Sequence, residues 1–365
     1  DYLNIEKQMF AITIDMFKEC TQLFIQRRAA GTLPQPVLID PIKRSEEKQD
    51  AVKEKSTVEQ LFDLFGKENL KITYDFENVP LATDDLRKII LENLPENFGY
   101  TGDVGITLSD VKSGKETLEK FIAQLSPKEL EAISRGDYIM NSPLGAKGNA
   151  GVMGGVLPSL RKKGVSPITT TDGPSGIRIM ACCSLLPNGT SLASMWNTDL
   201  AYNVYKKVGG EMKVKGSDVL LAPGMNIHRS PLCGRNFEYY SEDPFLTGKT
   251  AAAVVKGLQS EGVAACPKHF ACNNQETNRN RNDSRLSERA LREIYLKGFE
   301  ICVKEASPLT IMTSYNKVNG VWSHYNYDLC TRVLRNEWNF QGLVMTDWWM
   351  QYTNSPEFPN LKDNA

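Results

Sequence analysis

From about residue 165 onward, short apolar runs alternate with stretches whose apolar residues recur every three or four positions. The runs fall near 167–172, 218–223, 263–269, 309–315 and 342–347. Leu343, Val344 and Met345 follow Gly342 without polar alternation, the pattern of a strand buried on both faces. Between the runs, Asp243-Pro244 opens a helix that continues to Gly262. Ser287 caps another, with Leu291, Ile294, Tyr295, Gly298 and Cys302 on one stripe, and residues 329–338 form a third. Strand and helix alternating at these intervals predict βαβ units with parallel strands, hence an α/β protein. No dinucleotide fingerprint is present, so a TIM-like (β/α) barrel is favoured over an open nucleotide-binding sheet.

The first third of the chain is less regular. Phe10, Ile12, Ile14 and Met16 alternate like a strand, whereas Met9, Phe17, Cys20 and Phe24 suit a helix, so residues 1–75 form a segment of unassigned fold. Residues 44–55 are charged and nearly free of core positions, as in a linker or solvated helix. Ser56-Thr57-Val58-Glu59 forms a capping box before a short helix that Gly66 closes. Residues 76–110 read as a connecting lead-in, and residues 111–365 as the barrel domain. Ser126-Pro127-Lys128-Glu129 is a second capping box, with Gly136 beyond the helix end. Residues 145–155 have GxxGxxG spacing, but no strand precedes them and no helix-opening pattern follows, so a flexible loop is expected.

Composition narrows the classes of function. A net charge of -1 gives no support for nucleic-acid or membrane binding. No apolar run approaches the roughly 18 residues that span a bilayer. The chain opens on Asp1 without a signal-peptide pattern, which suggests a fragment or processed product. Its eight Cys are scattered, Cys182-Cys183 are adjacent and no CxxC occurs, as expected for reduced, mostly buried thiols in a cytoplasmic protein. With three His and no HxH or HExxH spacing, neither a metal nor another cofactor is called for, and His228 and His324 read as structural.

The runs share an ending. Ile168-Thr169-Thr170-Thr171 leads into Asp172-Gly173-Pro174, Val263-Ala264-Ala265-Cys266-Pro267 into Lys268-His269-Phe270, and Leu309-Thr310-Ile311-Met312-Thr313-Ser314 into Tyr315-Asn316. Leu343-Val344-Met345-Thr346 ends in Asp347-Trp348-Trp349. Residues 234–244 pack further charged and aromatic side chains into a turn. In a barrel these ends face one pocket, where charged donors and acceptors can bind many hydroxyl groups. Plainer roles remain open: Asp172 as a turn cap, Arg235 as a local partner of Glu238 or Asp243, Lys268 as a Schiff-base lysine.

At these residues the chain resembles the family 3 glycoside hydrolases, especially their β-glucosidase branch. The resemblance rests on six ordered blocks. They are Thr171-Asp172-Gly173-Pro174-Ser175-Gly176-Ile177-Arg178, Leu221-Ala222-Pro223-Gly224-Met225-Asn226-Ile227-His228-Arg229, residues 234–244, Lys268-His269-Phe270, Met312-Thr313-Ser314-Tyr315-Asn316 and Thr346-Asp347-Trp348. It implies a retaining exo-β-glycosidase with Asp347 as nucleophile, kept ionised by Arg235, Lys268 and His269. It further implies that Asp172, Arg235, Lys268 and His269 grip the terminal glucose, that Tyr315 lies by the nucleophile and that Trp348 packs on the sugar. The implied partner is a β-glucoside or short β-linked oligosaccharide.

In the β-N-acetylglucosaminidase branch a His and an Asp shortly after the Lys-His-Phe block supply the acid/base; here Ala-Cys-Asn-Asn-Gln-Glu-Thr-Asn-Arg follows. In the β-glucosidase branch the acid/base usually comes from an α/β sandwich domain, which these residues do not contain. The chain stops 18 residues past Asp347, so the barrel is expected to be incomplete and the sandwich to come from elsewhere in the protein or from another chain. A β-xylosidase, a non-catalytic sugar-binding fragment and a Schiff-base aldolase using Lys268 are the alternatives.

Overall fold

The apolar runs form strands, four in one sheet and two in a second sheet joined to it by a backbone bridge between Phe270 and Thr313. In chain order these are β1 (Gly151–Gly154), β2 (Pro167–Asp172), β3 (Val219–Leu221), β4 (Ala264–Ala265), β5 (Thr310–Met312) and β6 (Leu343–Met345). The computed structural model describes residues 85–94, 98–137 and 139–350. The expectations for residues 1–75, including the capping box at Ser56, lie outside the described residues, as do residues 351–365.

β2, β3 and β4 pair in parallel, as do β5 and β6. Past the end of β4 the backbone continues the pairing into β5: Phe270 N donates to Met312 O at 2.7 Å and Ser314 N to Phe270 O at 2.8 Å. β1 departs from the parallel rule and runs antiparallel to β2, with Gly151 opposite Thr170 and Gly154 opposite Pro167. Between the far edges, the Trp348 indole Nε1 donates to Ala150 O at 2.7 Å, so the end just past β6 meets the start of β1. The sheet therefore curls, but no closed barrel of strands exists among the described residues.

Strand alternation sorts the side chains into two cores. Val219, Leu221, Cys266 and Met312 pack with Ala150, Met345 and Trp348 on one side of the sheet. Leu220, Ala222, Ala265 and Ile311 join the larger core built with the helices. Those helices are α1 (Thr198–Lys215), α2 (Pro244–Gln259) and α3 (Lys297–Ala306), with α2 packed against both others. α1 starts where the Asn197 side chain accepts from Leu200 N at 2.9 Å and stops at left-handed Gly216. α2 starts at the predicted Asp243, which caps Phe245 N at 2.6 Å with Pro244 in the first turn. A Cβ on Gly257 would lie 2.4 Å from Tyr202 O, so this glycine sets how closely α1 and α2 approach.

Two expectations need correction. Residues 145–155 are not all loop, since Gly151–Gly154 forms β1; partner hydrogen bonds from β2 supply what four residues with two glycines lack in propensity. β6 is not buried on both faces: it pairs only with β5 among the described residues, and Leu343 is 46% exposed. Within the lead-in of residues 76–110, Leu86–Glu92 is a helix capped by Asp85. The Ser126 capping box is observed, with Glu129 Oε2 accepting from Ser126 N at 2.9 Å. All described residues belong to one compact unit.

Candidate active site

The ends of the strands open into one cavity of about 340 Å³. Each strand delivers its polar residue where the apolar run stops: Asp172 from β2, Lys268 and His269 after β4, Tyr315 after β5, Asp347 and Trp348 after β6. Arg235 comes from the turn after β3 and completes the set, so all seven residues singled out in the sequence line the same space.

Asp172 and Lys268 form the first pair. Lys268 is 3% exposed and its Nζ donates to Asp172 Oδ1 at 2.7 Å. Arg178 binds the other carboxylate oxygen, and Gly173 N donates to Oδ1 at 3.1 Å. Burial works against the Asp172 charge, but Lys268 with Arg178 and Arg235 outweighs it and holds the carboxyl below its ordinary range. The turn-cap role and the cavity role thus coexist at Asp172. Lys268 Nζ is committed to the Asp172 carboxylate, an arrangement that suits ion pairing and hydroxyl recognition rather than a Schiff base.

Arg235 binds Glu238, as one of the plainer readings had it, and does not use Asp243, which caps α2. Its Nη1 also lies 4.0 Å from Glu276 Oε1, and Glu276 Oε2 accepts from Arg279 Nη1 at 2.9 Å. Glu276 therefore sits between two guanidinium groups that both line or border the cavity. Arg279 lies over the Tyr315 ring, 4.5 Å from its centroid. Burial and then the neighbouring Asp347 carboxylate, which the hydroxyl also hydrogen-bonds, push the Tyr315 phenol well above its usual range.

Asp347 is nearly enclosed. Trp348 N donates to its Oδ1 at 2.7 Å, and His269 Nε2 stands 3.7 Å from its Oδ2. Burial raises its pKa above the ordinary aspartate value, and Lys268, the Trp348 amide, Arg235 and Arg279 only partly offset this. The expected help from a charged His269 is absent. His269 is 2% exposed, and burial together with Arg235, Lys268 and Arg279 pulls its pKa far down, so the imidazole is neutral.

Some cavity residues escaped the reading of the sequence, Met140 and Arg279 among them, whereas Phe237, Glu238 and Trp349 belong to stretches it had marked. Arg279 follows Lys268 in a polar run without periodicity, so nothing local marks it as a wall of the cavity. His228 and His324 do not line the cavity; burial pulls the His324 imidazole down to about 4. Cys233, Cys266, Cys272 and Cys302 are buried as expected, whereas Cys182 is exposed. Among the described residues no three His, Cys, Asp or Glu side chains are grouped to hold a metal, and no helix is long and apolar enough to cross a membrane.

The family profile described as "Glycosyl hydrolase family 3 N terminal domain" matches residues 159–360. A β-glucosidase of Ruminococcus albus is 50% identical over 276 residues, which are 75% of this chain and 29% of that protein. The crystal structure of a β-glucosidase from Paenibacillus barengoltzii superposes with a TM-score of 0.71 at 52% identity, covering 75% of this chain and 30% of that one. β-Glucosidase 3B from Thermotoga neapolitana, solved in complex with α-D-glucose, gives 0.61 at 44% identity, over 64% of this chain and 34% of that one. The chain thus spans about a third or less of the length of these relatives.

Proposed function

The chain belongs to glycosyl hydrolase family 3, and from this premise we propose that its cavity releases glucose from the non-reducing end of β-glucosides by a retaining route. The observation that carries the reading is the Asp347 carboxylate, buried at a strand end and facing a cavity lined by Asp172, Arg235, Lys268 and Arg279. Asp347 attacks the anomeric carbon, the aglycone oxygen leaves with a proton, and a covalent glycosyl-enzyme forms. Water then releases the sugar. Asp172 accepts from sugar hydroxyls while Lys268 and Arg235 donate to them, and neutral His269 stands beside the nucleophile. Tyr315 steadies the nucleophile, and Trp348 offers its ring face to the sugar. The carboxylate works as a nucleophile only when ionised, and its raised pKa makes it a stronger base than an exposed aspartate.

The proton donor is proposed to come from an α/β sandwich domain elsewhere in the protein or in another chain. Of the other carboxyl groups lining the cavity, Asp172 is paired with Lys268 and Glu238 with Arg235. Asp172, held below its ordinary range, is not poised as a neutral acid, and the Glu238 carboxylate is engaged by the guanidinium. In the same reading the curled sheet is part of a (β/α) barrel. The buried, reduced thiols support a cytoplasmic location.

The test uses a 2-deoxy-2-fluoroglucoside with a good leaving group, for which glycosylation needs little acid assistance. Intact mass should show a one-to-one adduct on the protein and none on Asp347→Asn. An adduct that persists in Asp347→Asn would remove Asp347 as nucleophile. The corresponding fluoroxyloside, run in parallel, separates glucose from xylose specificity, and rapid hydrolysis of unactivated glucosides by this chain alone would remove the external acid.

A further inference from the structure

We propose that Tyr239 is a positioning residue that holds His269 in the tautomer protonated on Nε2, so that a neutral N–H faces the Asp347 carboxylate. Tyr239 is fully buried, does not line the cavity and cannot touch a sugar. Its hydroxyl lies 3.1 Å from His269 Nδ1 and accepts from Asn273 Nδ2 at 3.2 Å. The His269 backbone is pinned independently: its N donates to Asn226 Oδ1 at 2.8 Å, and Asn226 Nδ2 donates back to His269 O at 2.9 Å. The ring stands with Nδ1 towards the Tyr239 hydroxyl and Nε2 towards Asp347, and the position of its proton remains to be decided.

Donor and acceptor accounting decides it. With the proton on Nδ1, the ring would donate to the Tyr239 oxygen or to Asn226 Oδ1 at 3.3 Å. The Tyr239 hydroxyl proton would then face the Asn273 amide donor and the ring N–H, with neither able to accept it. The Nε2 lone pair would point at the carboxylate oxygen 3.7 Å away. With the proton on Nε2, the Asn273 amide donates to Tyr239, Tyr239 donates to Nδ1, and Nε2–H points towards Asp347 Oδ2. Every donor then has an acceptor or a facing anion. The two Asp347 oxygens are supported from different sides, Oδ1 by the Trp348 amide and Oδ2 by the imidazole.

The groups facing His269 are Asp347, Tyr239 and Asn226, with the charges of Arg235, Lys268 and Arg279 around them. These three cations and burial keep the ring neutral, so it supports the carboxylate through a dipole. In the glycosidase reading, on which the catalytic consequence rests, this dipole favours the ionised nucleophile.

The experiment is performed on the full-length protein with 15N only in histidine, the His269 signals being assigned by their loss in His269→Gln. Long-range 1H–15N correlation should show His269 protonated on Nε2, with Nδ1 at the shift of an unprotonated nitrogen. Tyr239→Phe, which keeps the ring and removes the hydroxyl, should bring in the Nδ1-protonated form. It should also slow glycosylation by the fluoroglucoside about tenfold near the acid limb, through the rate constant and not through affinity. The neighbouring Tyr240→Phe removes another buried hydroxyl and should leave the tautomer unchanged. A wild-type ring protonated on Nδ1, read without any variant, overturns the proposal, as does an unaltered tautomer in folded Tyr239→Phe. An Nε2-protonated wild-type ring lost in Tyr239→Phe, in a protein that forms no adduct, would uphold the proton's placement and reject the glycosidase reading.

Discussion

Asp347 works against its surroundings. Burial favours its protonated form, and the cations across the cavity recover only part of the loss. The ionised fraction falls as pH drops through this raised pKa, so the acid limb of glycosylation should sit above the range of an exposed aspartate. Arg279 is one of the charges that lower the Asp347 pKa. Arg279→Met should therefore move the acid limb further towards neutral pH, and a pH profile of adduct formation will read the displacement. The Lys268–Asp172 pair carries the opposite risk. Asp172→Asn leaves the 3% exposed Lys268 ammonium without its anion. It should cost about 3–5 kcal/mol of stability, measured by denaturant unfolding, together with most of the glycosylation rate.

Short elements depend on a few contacts that can be tested one at a time. The turn bearing Arg235, Glu238 and Tyr239 is tied down by Thr190, whose Oγ1 donates to Asn236 O at 2.9 Å and to Tyr239 O at 3.1 Å. Next to it, a Cβ on Gly189 would stand 2.2 Å from Glu238 O, a backbone atom that cannot swing aside. Gly189→Ala should displace that turn and slow adduct formation by at least tenfold, while far-ultraviolet circular dichroism stays native-like. At the helix Pro127–Arg135, Glu129 closes the capping box and accepts from Lys163 Nζ at 2.9 Å. Against burial, Lys163 and the Ser126 backbone amide bring its carboxyl down to about 2. The stability it adds is complete above its ordinary pKa and is lost as pH falls towards 2. Glu129→Ala should lower stability by about 2–3 kcal/mol at pH 7, with the difference shrinking in acid.

Across the whole molecule, a curled sheet collects the polar ends of widely separated segments. Trp348 reaches Ala150 across 198 residues of sequence, and Lys268 reaches Asp172 across 96. β3, β4 and β5, packed between the two cores, give the site a firm base, and the turns that carry Arg235 and Arg279 complete its wall. With the proton donor proposed to come from beyond these residues, glycosylation by this chain should depend on the leaving group. Adduct formation should be measurable with dinitrophenolate and fall steeply for poorer leaving groups, a slope that the full-length protein should flatten.

How much of this was legible along the chain follows from the range of each force. The strand runs, the caps at Asp243 and Ser126 and the switch from apolar to charged residues at Asp172, Lys268 and Asp347 depend on neighbours within a few positions. They could be read directly, as could the family blocks that contain them. The antiparallel pairing of β1 could not, because a Gly-rich run becomes a strand only when a partner edge supplies its hydrogen bonds. Arg279 reached the cavity through the path of a turn, which no periodicity records. The charge of His269 was misjudged for a related reason: neighbouring letters show a basic residue beside Lys268, whereas burial and three converging cations make it neutral. Local pattern therefore determined which side chains end the strands. Long-range packing decided how far they lie from one another and from water, and so which of them carry charge.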